Sequence, residues 1–245
     1  RFPEFRNGDP VIDEFIKDYL NSANSFEQRS AKSAAIFRWL SYFPSSIVNN
    51  VIAAAIDLTD SYINEHNDVP FDFLLPLNDG ELEDMETNTL DQLYSQLHEA
   101  CESDKKAAAL CVYATMCNGM GDIVEAAPSF NSELMHRFLS SNDEKDKLAG
   151  CLYMVFYSEA LQADQCVSEP PSLEIYNLLK PILLGQVSEN LRKRSLKAFN
   201  KLIQTEILLK PEVLNDFLTL FDAFAAEPTR LPSFYKVISN FIFPD

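Results

Sequence analysis

The residues with the clearest chemical potential are the acids around Gly80, three scattered histidines, five cysteines and a basic run near residue 195. Asp79, Glu81, Glu83, Asp84 and Glu86 crowd around a single glycine, which is the look of a calcium loop. An EF-hand needs its glycine at the sixth position, and Gly80 there would put Leu75 and Leu77 at the first and third ligand positions. Of the first, third, fifth and twelfth positions only Asp79 and Glu86 would then fit, too few oxygens for an EF-hand, so no calcium is expected. His66, His98 and His136 are far apart, and only His98 and Cys101 share a helical face, short of the three or four ligands that zinc requires. Cys101, Cys111, Cys117, Cys151 and Cys166 include no C-x-x-C pair and fall mostly among alanines and aliphatics, as in Ala109-Leu110-Cys111-Val112. Free cysteine in that setting is a small core residue.

Nucleophilic and phosphate chemistry have no foothold. There is neither a G-x-S-x-G elbow nor a G-x-x-x-x-G-K-[ST] loop, and Gly119-Met120-Gly121-Asp122 reads as a helix terminus, with Gly119 just past the helix. Asp79 and Glu83 could exchange a proton, but nothing around them marks a pocket. The expectation is a non-enzyme with no cofactor and no metal.

Charge is far more informative than motif. From Trp39 to Asp104 the chain runs 66 residues without a lysine or arginine, and Asp57 to Asp104 alone carries 14 carboxylates. The net charge is −17, and outside that stretch 23 acids and 20 bases nearly cancel. The acids are interleaved with Leu74, Leu75, Leu77, Leu82, Met85 and Leu90, a mixture suited to a basic amphipathic peptide. The expected partner-binding residues are Asp79, Glu81, Glu83, Asp84 and Glu86. A second surface is marked by Arg192, Lys193, Arg194, Lys197 and Lys201, the last four spanning about 100° of one helix while Leu196, Phe199 and Leu202 face away. The strongly negative whole-chain field opposes phosphate backbones, so nucleic acid is not the expected partner.

Positioning such residues falls to helices. With 6 Gly against 18 Phe and 9 Tyr, packed helices fit better than a turn-rich β fold. Asp9-Pro10 gives an N-cap and a first-turn proline, and Ser25-x-x-Gln28 forms a capping box before a helix that Pro44 should close. A largely buried helix follows from Ser46 to about Glu65, and Leu90, Leu93, Leu97 and Cys101 stripe another. Further helices are expected over 104–118, 132–139, 144–161, 173–184, 189–208, 212–225 and 232–242, with an acidic loop around 66–88 and a second loop around 164–172. No apolar run reaches the roughly 18 residues of a membrane span. The first residues lack a signal-peptide core and no Asn-x-Ser/Thr acceptor occurs, so an intracellular location, cytoplasmic or nuclear, is expected.

Four helices open alike, with a serine, a charged turn holding lysine or arginine, then small and bulky apolar residues. The starts are Ser25, Ser103, Ser141 and Ser188, and a unit of about 40 residues accounts for their separations if a start near residue 64 is displaced by the acidic segment. On that spacing, with Pro44, Pro181 and Pro211 as punctuation, the chain resembles the HEAT and armadillo α-solenoids. The resemblance implies a single domain over 1–245, a right-handed superhelix of stacked antiparallel helix pairs. It also implies a scaffold or adaptor that binds another protein by one long face.

Two alternatives accompany that expectation. The Leu- and Phe-rich stretch Val213–Phe243 is similar to the helical repeats that precede the winged helix in PCI-domain subunits of the proteasome lid, signalosome and translation initiation complexes, although no winged helix is evident here. That would make the chain a constitutive subunit of a larger assembly. Resemblance to solenoid transport receptors implies instead a carrier or chaperone of a basic client.

Overall fold

The computed structural model describes residues 10–70, 72–78, 82, 85–119, 132–162, 173–203 and 211–225. Every regular element among them is helical: α1 (Pro10–Leu20), α2 (Phe26–Arg38), α3 (Ser45–His66), α4 (Thr87–Ala100), α5 (Lys106–Gly119), α6 (Ser132–Leu139), α7 (Glu144–Gln162), α8 (Leu173–Leu184), α9 (Glu189–Ile203) and α10 (Pro211–Ala225). Short 3-10 turns at Leu40–Tyr42 and Leu75–Asn78 complete the set. The all-α expectation therefore stands. No helix among the described residues is long and apolar enough to cross a membrane. The expected helix over 232–242 lies outside the described residues.

Contacts divide the chain into two compact units, 1–128 and 129–245. In the first, α3 packs against α1, α2, α4 and most extensively α5, while the 75–78 turn packs on α2 and α5. In the second, α7 packs against α6 and most extensively α9, and α8 joins α6, α9 and α10. Each unit is thus organised on a helix that is apolar all round: α5 is buried without interruption from Ala107 to Cys117, and α7 from Leu148 to Ser158. A helix with no polar face has to sit inside a bundle, since any exposed side would leave apolar area in water. Small residues permit the close approach this needs. A Cβ added at Gly150 of α7 would lie 2.9 Å from Leu139 Cδ2 and 3.3 Å from the Leu139 backbone nitrogen.

Local signals set the helix ends. Ser25 Oγ accepts from Gln28 N at 3.3 Å while Ser25 N donates to Gln28 Oε1 at 3.0 Å, the reciprocal capping box. Pro44 acts differently from expectation: α2 already ends at Arg38, and Pro44 is the N-cap of α3, its carbonyl accepting from Ile47 N and Val48 N. A proline has no N–H to leave unpaired at a helix start, which is why it fits there. Pro181 lies inside α8, as the expected helix over 173–184 has it, whereas Gly119 is the last residue of α5 rather than the residue after it.

All four repeat-marking serines sit at helix entrances, in two forms. Ser25 and Ser188 accept from the N–H three residues on, at Gln28 and Leu191. Ser103 and Ser141 accept from the N–H two residues on, at Lys105 and Asp143, the tighter side-chain turn. The first pair shares more. Four residues after each serine stands an arginine that reaches back to the end of the preceding helix: Arg29 Nε donates to Tyr19 O at 2.9 Å, and Arg192 Nη2 to Gly185 O at 3.2 Å. A cation at unsatisfied C-terminal carbonyls gains from both the hydrogen bond and the helix dipole. Arg29 is the more buried and also donates to Ala54 O of α3 at 3.2 Å, joining three helices.

Candidate interaction surface

The acidic stretch begins on the outer face of α3. Asp57, Asp60, Asn64 and Glu65 project there while Ala55, Leu58, Thr59 and Ile63 turn inward, as helical spacing requires. The turn from α4 into α5 adds exposed Glu102 and Asp104, and the first base after Arg38, Lys105, stands at its end. Lys105 Nζ binds Asp57 Oδ1 at 2.7 Å. That hydrogen bond outweighs the cost of burial and, with lesser help from the charges of Asp57, Asp60 and Asp104, holds the ammonium above the ordinary lysine range. Several carboxylates therefore share one cation, and the face keeps a net negative charge.

Of the five acids expected to bind a partner, Asp79, Glu81, Glu83 and Asp84 lie outside the described residues, and Glu86 is exposed as the N-cap of α4. Their apolar neighbours depart from expectation. Leu74, Leu77, Leu82, Met85 and Leu90 are all buried, with Leu77 in the turn that packs on α2 and α5. These side chains fasten the acidic segment to the core and are not available to a partner; Leu75 is half-buried. The physical reason is that a leucine flanked by backbone turns gains more from the shared core than from a surface position.

An aromatic group that sequence reasoning did not single out lies beside this segment. Phe26 at the start of α2, Tyr62 and His66 at the end of α3, and Phe73 form one cluster. Phe26 is 5.1 Å from Tyr62 and 5.5 Å, edge to face, from Phe73, while Tyr62 and His66 stack at 4.2 Å. The i, i+4 spacing of Tyr62 and His66 was visible in sequence, but Phe26 and Phe73 reach them only through tertiary packing.

The basic run on α9 does not form a uniform solvated stripe. Lys193 is exposed, but Arg192, Arg194, Lys197 and Lys201 are half-buried. Arg192 is used on Gly185 O, and Lys201 Nζ pairs with Glu159 of α7 at 2.8 Å. Arg194 lies close enough to Cys151 to oppose the effect of burial on that thiol. Much of this charge serves the packing of α9 on its neighbours. The entrance of α9 is held as well, by a hydrogen bond from Ser188 Oγ to Glu144 at the start of α7.

The described cysteine thiols are shielded. Cys101, Cys111, Cys117 and Cys151 are buried free thiols. Burial pushes Cys151 up to about 12 and Cys117 higher still, so both are protonated at neutral pH. Burial also raises the Tyr94 and Tyr113 hydroxyls, whose rings meet edge to face near Cys117. His66 Nδ1 lies 3.1 Å from Tyr62 O and His136 Nε2 3.4 Å from Glu174 Oε1. Among the described residues no group of three or more His, Cys, Asp or Glu could hold a metal ion. Protein-family models, curated proteins and solved structures give no match to the chain.

Proposed function

We propose that the chain is a non-enzymatic interaction scaffold, working inside the cell, that binds a basic segment of another protein through the acidic face of unit 1. Its helix pairs would stack as a superhelix of the HEAT/armadillo kind, a form that offers a long face without needing a pocket. The observation that carries this is the environment of Lys105, which is bonded to Asp57 within the field of Asp60 and Asp104. Exposed Glu65, Asp91, Glu99 and Glu102 extend the same charge along α3, α4 and the turn after it. Carboxylates gathered on one face steer a cationic partner, and their attraction is screened by salt. Leu74, Leu77, Leu82 and Met85 are buried, so in this proposal Asp79, Glu81, Glu83, Asp84 and Glu86 act by charge alone.

The test is capture of partners from extract by the wild type and by a variant in which Glu81, Glu83, Asp84 and Glu86 are changed to lysine, at low and moderate salt. Partners lost both to the variant and to salt support the acidic face; a partner set unchanged by either refutes it.

A constitutive subunit of a larger assembly is the second reading, favoured by α10. Leu214 and Leu218, one turn apart on that helix, are 40% and 54% exposed. An apolar stripe of this kind suits a permanent interface. Salt-insensitive capture, lost in Leu218→Glu, would move the assignment to this reading.

A further inference from the structure

We infer that the cluster of Phe26, Tyr62, His66 and Phe73 is an arginine-binding face, taking a guanidinium of the partner's basic segment by stacking and cation–π contact. The inference rests on the proposed function and adds to it a residue-specific contact.

The rings are placed for recognition rather than for the core. Phe26, Tyr62 and Phe73 are half-buried and His66 is exposed, whereas the largest core aromatics of unit 1, Tyr19 and Phe37, are fully buried. Exposed carboxylates stand beside the rings in sequence: Glu27 next to Phe26, Glu65 next to His66, and Asp72 next to Phe73. Hydrogen bonds from its own backbone and from Ser25 hold the Glu27 carboxyl below the ordinary range, and His66 adds a smaller electrostatic contribution. Elsewhere the chain supplies its own cations to aromatic faces, Lys32 over Phe15, Arg29 over Tyr19 and Arg137 over Phe138. Among the described residues none lies over Phe26, Tyr62 or Phe73.

Aromatic faces rimmed by carboxylates select cations, and within cations they select arginine. The guanidinium is planar, weakly hydrated and able to stack while its edge donates to carboxylates; the lysine ammonium is compact and holds its water. A phosphate-bearing partner is opposed by the strongly negative charge of the chain. A second copy of this chain is opposed by a net charge of −17 on each molecule.

The experiment titrates the full chain with acetyl-Gly-Arg-Gly-amide or acetyl-Gly-Lys-Gly-amide while recording aromatic NMR spectra. The arginine peptide should move the Tyr62 and His66 ring resonances saturably, and the lysine peptide should bind more weakly by about 5-fold. Phe73→Leu keeps the apolar volume and should weaken the arginine peptide by about 5-fold. Glu65→Gln, an exposed change without consequence for folding, should weaken both peptides alike. Equal binding of the two peptides, arginine binding unchanged in Phe73→Leu, or rings that stay still overturns the inference. So does ring movement that follows protein concentration without peptide, which would mean self-association. If those outcomes occur while partner capture still responds to charge reversal, the proposed function survives. If the arginine contact holds while capture ignores charge reversal, the proposed function alone fails.

Discussion

Removing Arg29 tests the account of unit 1 most directly, because its guanidinium ties three helices together with hydrogen bonds to backbone carbonyls and no carboxylate partner is required. The side chain is 6% exposed, donates to Tyr19 O at 2.9 Å and to Ala54 O at 3.2 Å, and lies 5.6 Å from the Tyr19 ring centroid. Hydrogen bonds with a charged partner contribute about 1.5–3 kcal/mol each. Against this, a buried ion costs several kcal/mol in lost hydration, which Arg29→Met would relieve while its unbranched chain fills the space of the stem. The net expectation for Arg29→Met is a loss of about 1–3 kcal/mol. Arg29→Ala also forfeits stem packing and opens a cavity, for about 3–5 kcal/mol in all. Trp39 makes the assay local: it is the only tryptophan of the chain and lies in unit 1 with its ring 6.2 Å from Phe15. Urea unfolding followed by Trp39 fluorescence should shift its midpoint down by about 1 M for a loss of 2 kcal/mol, given ordinary slopes. A loss below about 1 kcal/mol for Arg29→Ala would show that the guanidinium does not organise the α1–α2–α3 junction.

Other consequences follow from burial. In native protein at pH 8, Cys101, Cys111, Cys117 and Cys151 should resist a thiol reagent such as DTNB and react fully only in denaturant; rapid native labelling of Cys117 or Cys151 would contradict their surroundings. Burial raises Tyr19 to about 12 in the folded chain, and Tyr94, Tyr113 and Tyr176 are raised as well. A raised folded value means the native state holds the proton more tightly, so this stabilisation is complete below about pH 10 and is lost as pH climbs through the folded values. Tyrosine absorbance near 295 nm should show these hydroxyls ionising together with loss of helix, and their ionisation with helix intact would refute the prediction. Gly150→Val should destabilise unit 2 by about 1–3 kcal/mol through overlap with Leu139, read by thermal melting, whereas an unchanged midpoint would mean that α6 can move aside freely.

How much of this was legible in sequence depended on how local each signal is. The capping box of Ser25 and Gln28 and the proline at the start of α1 act within one turn of chain, and the helices they announce begin where the spacing placed them. Helices 132–139 and 173–184 were likewise legible to the residue, from apolar periodicity alone. The end of α2 was not, because Pro44 forbids helix only around itself and the chain had already turned at Trp39 through a 3-10 segment. Leu77 and Met85 were misread for a related reason: alternating acids and leucines look the same whether the leucines meet a partner or their own core. Arg192 was read as surface charge, although its fourfold spacing from Ser188 repeats that of Arg29 from Ser25.

That repeated serine and arginine bears on what kind of molecule this is. A cap alone opens helices of every fold and says little about repetition. An arginine four residues on, returning to the end of the preceding helix, does more, because it fixes two successive helices against each other. It occurs at the α1–α2 entrance in one unit and the α8–α9 entrance in the other. The two junctions thus use the same polar device, a serine cap with an arginine four residues on. The Ser103 and Ser141 entrances use a different polar arrangement. Lys105 turns to Asp57, while buried Asp146 accepts from Ser141 at 2.6 Å. At these two places the helix that follows is α5 or α7, the fully buried centre of its unit, where apolar contact on every side already fixes the packing. Lys105 instead turns to the surface, where it pairs with Asp57 among the carboxylates of the proposed binding face.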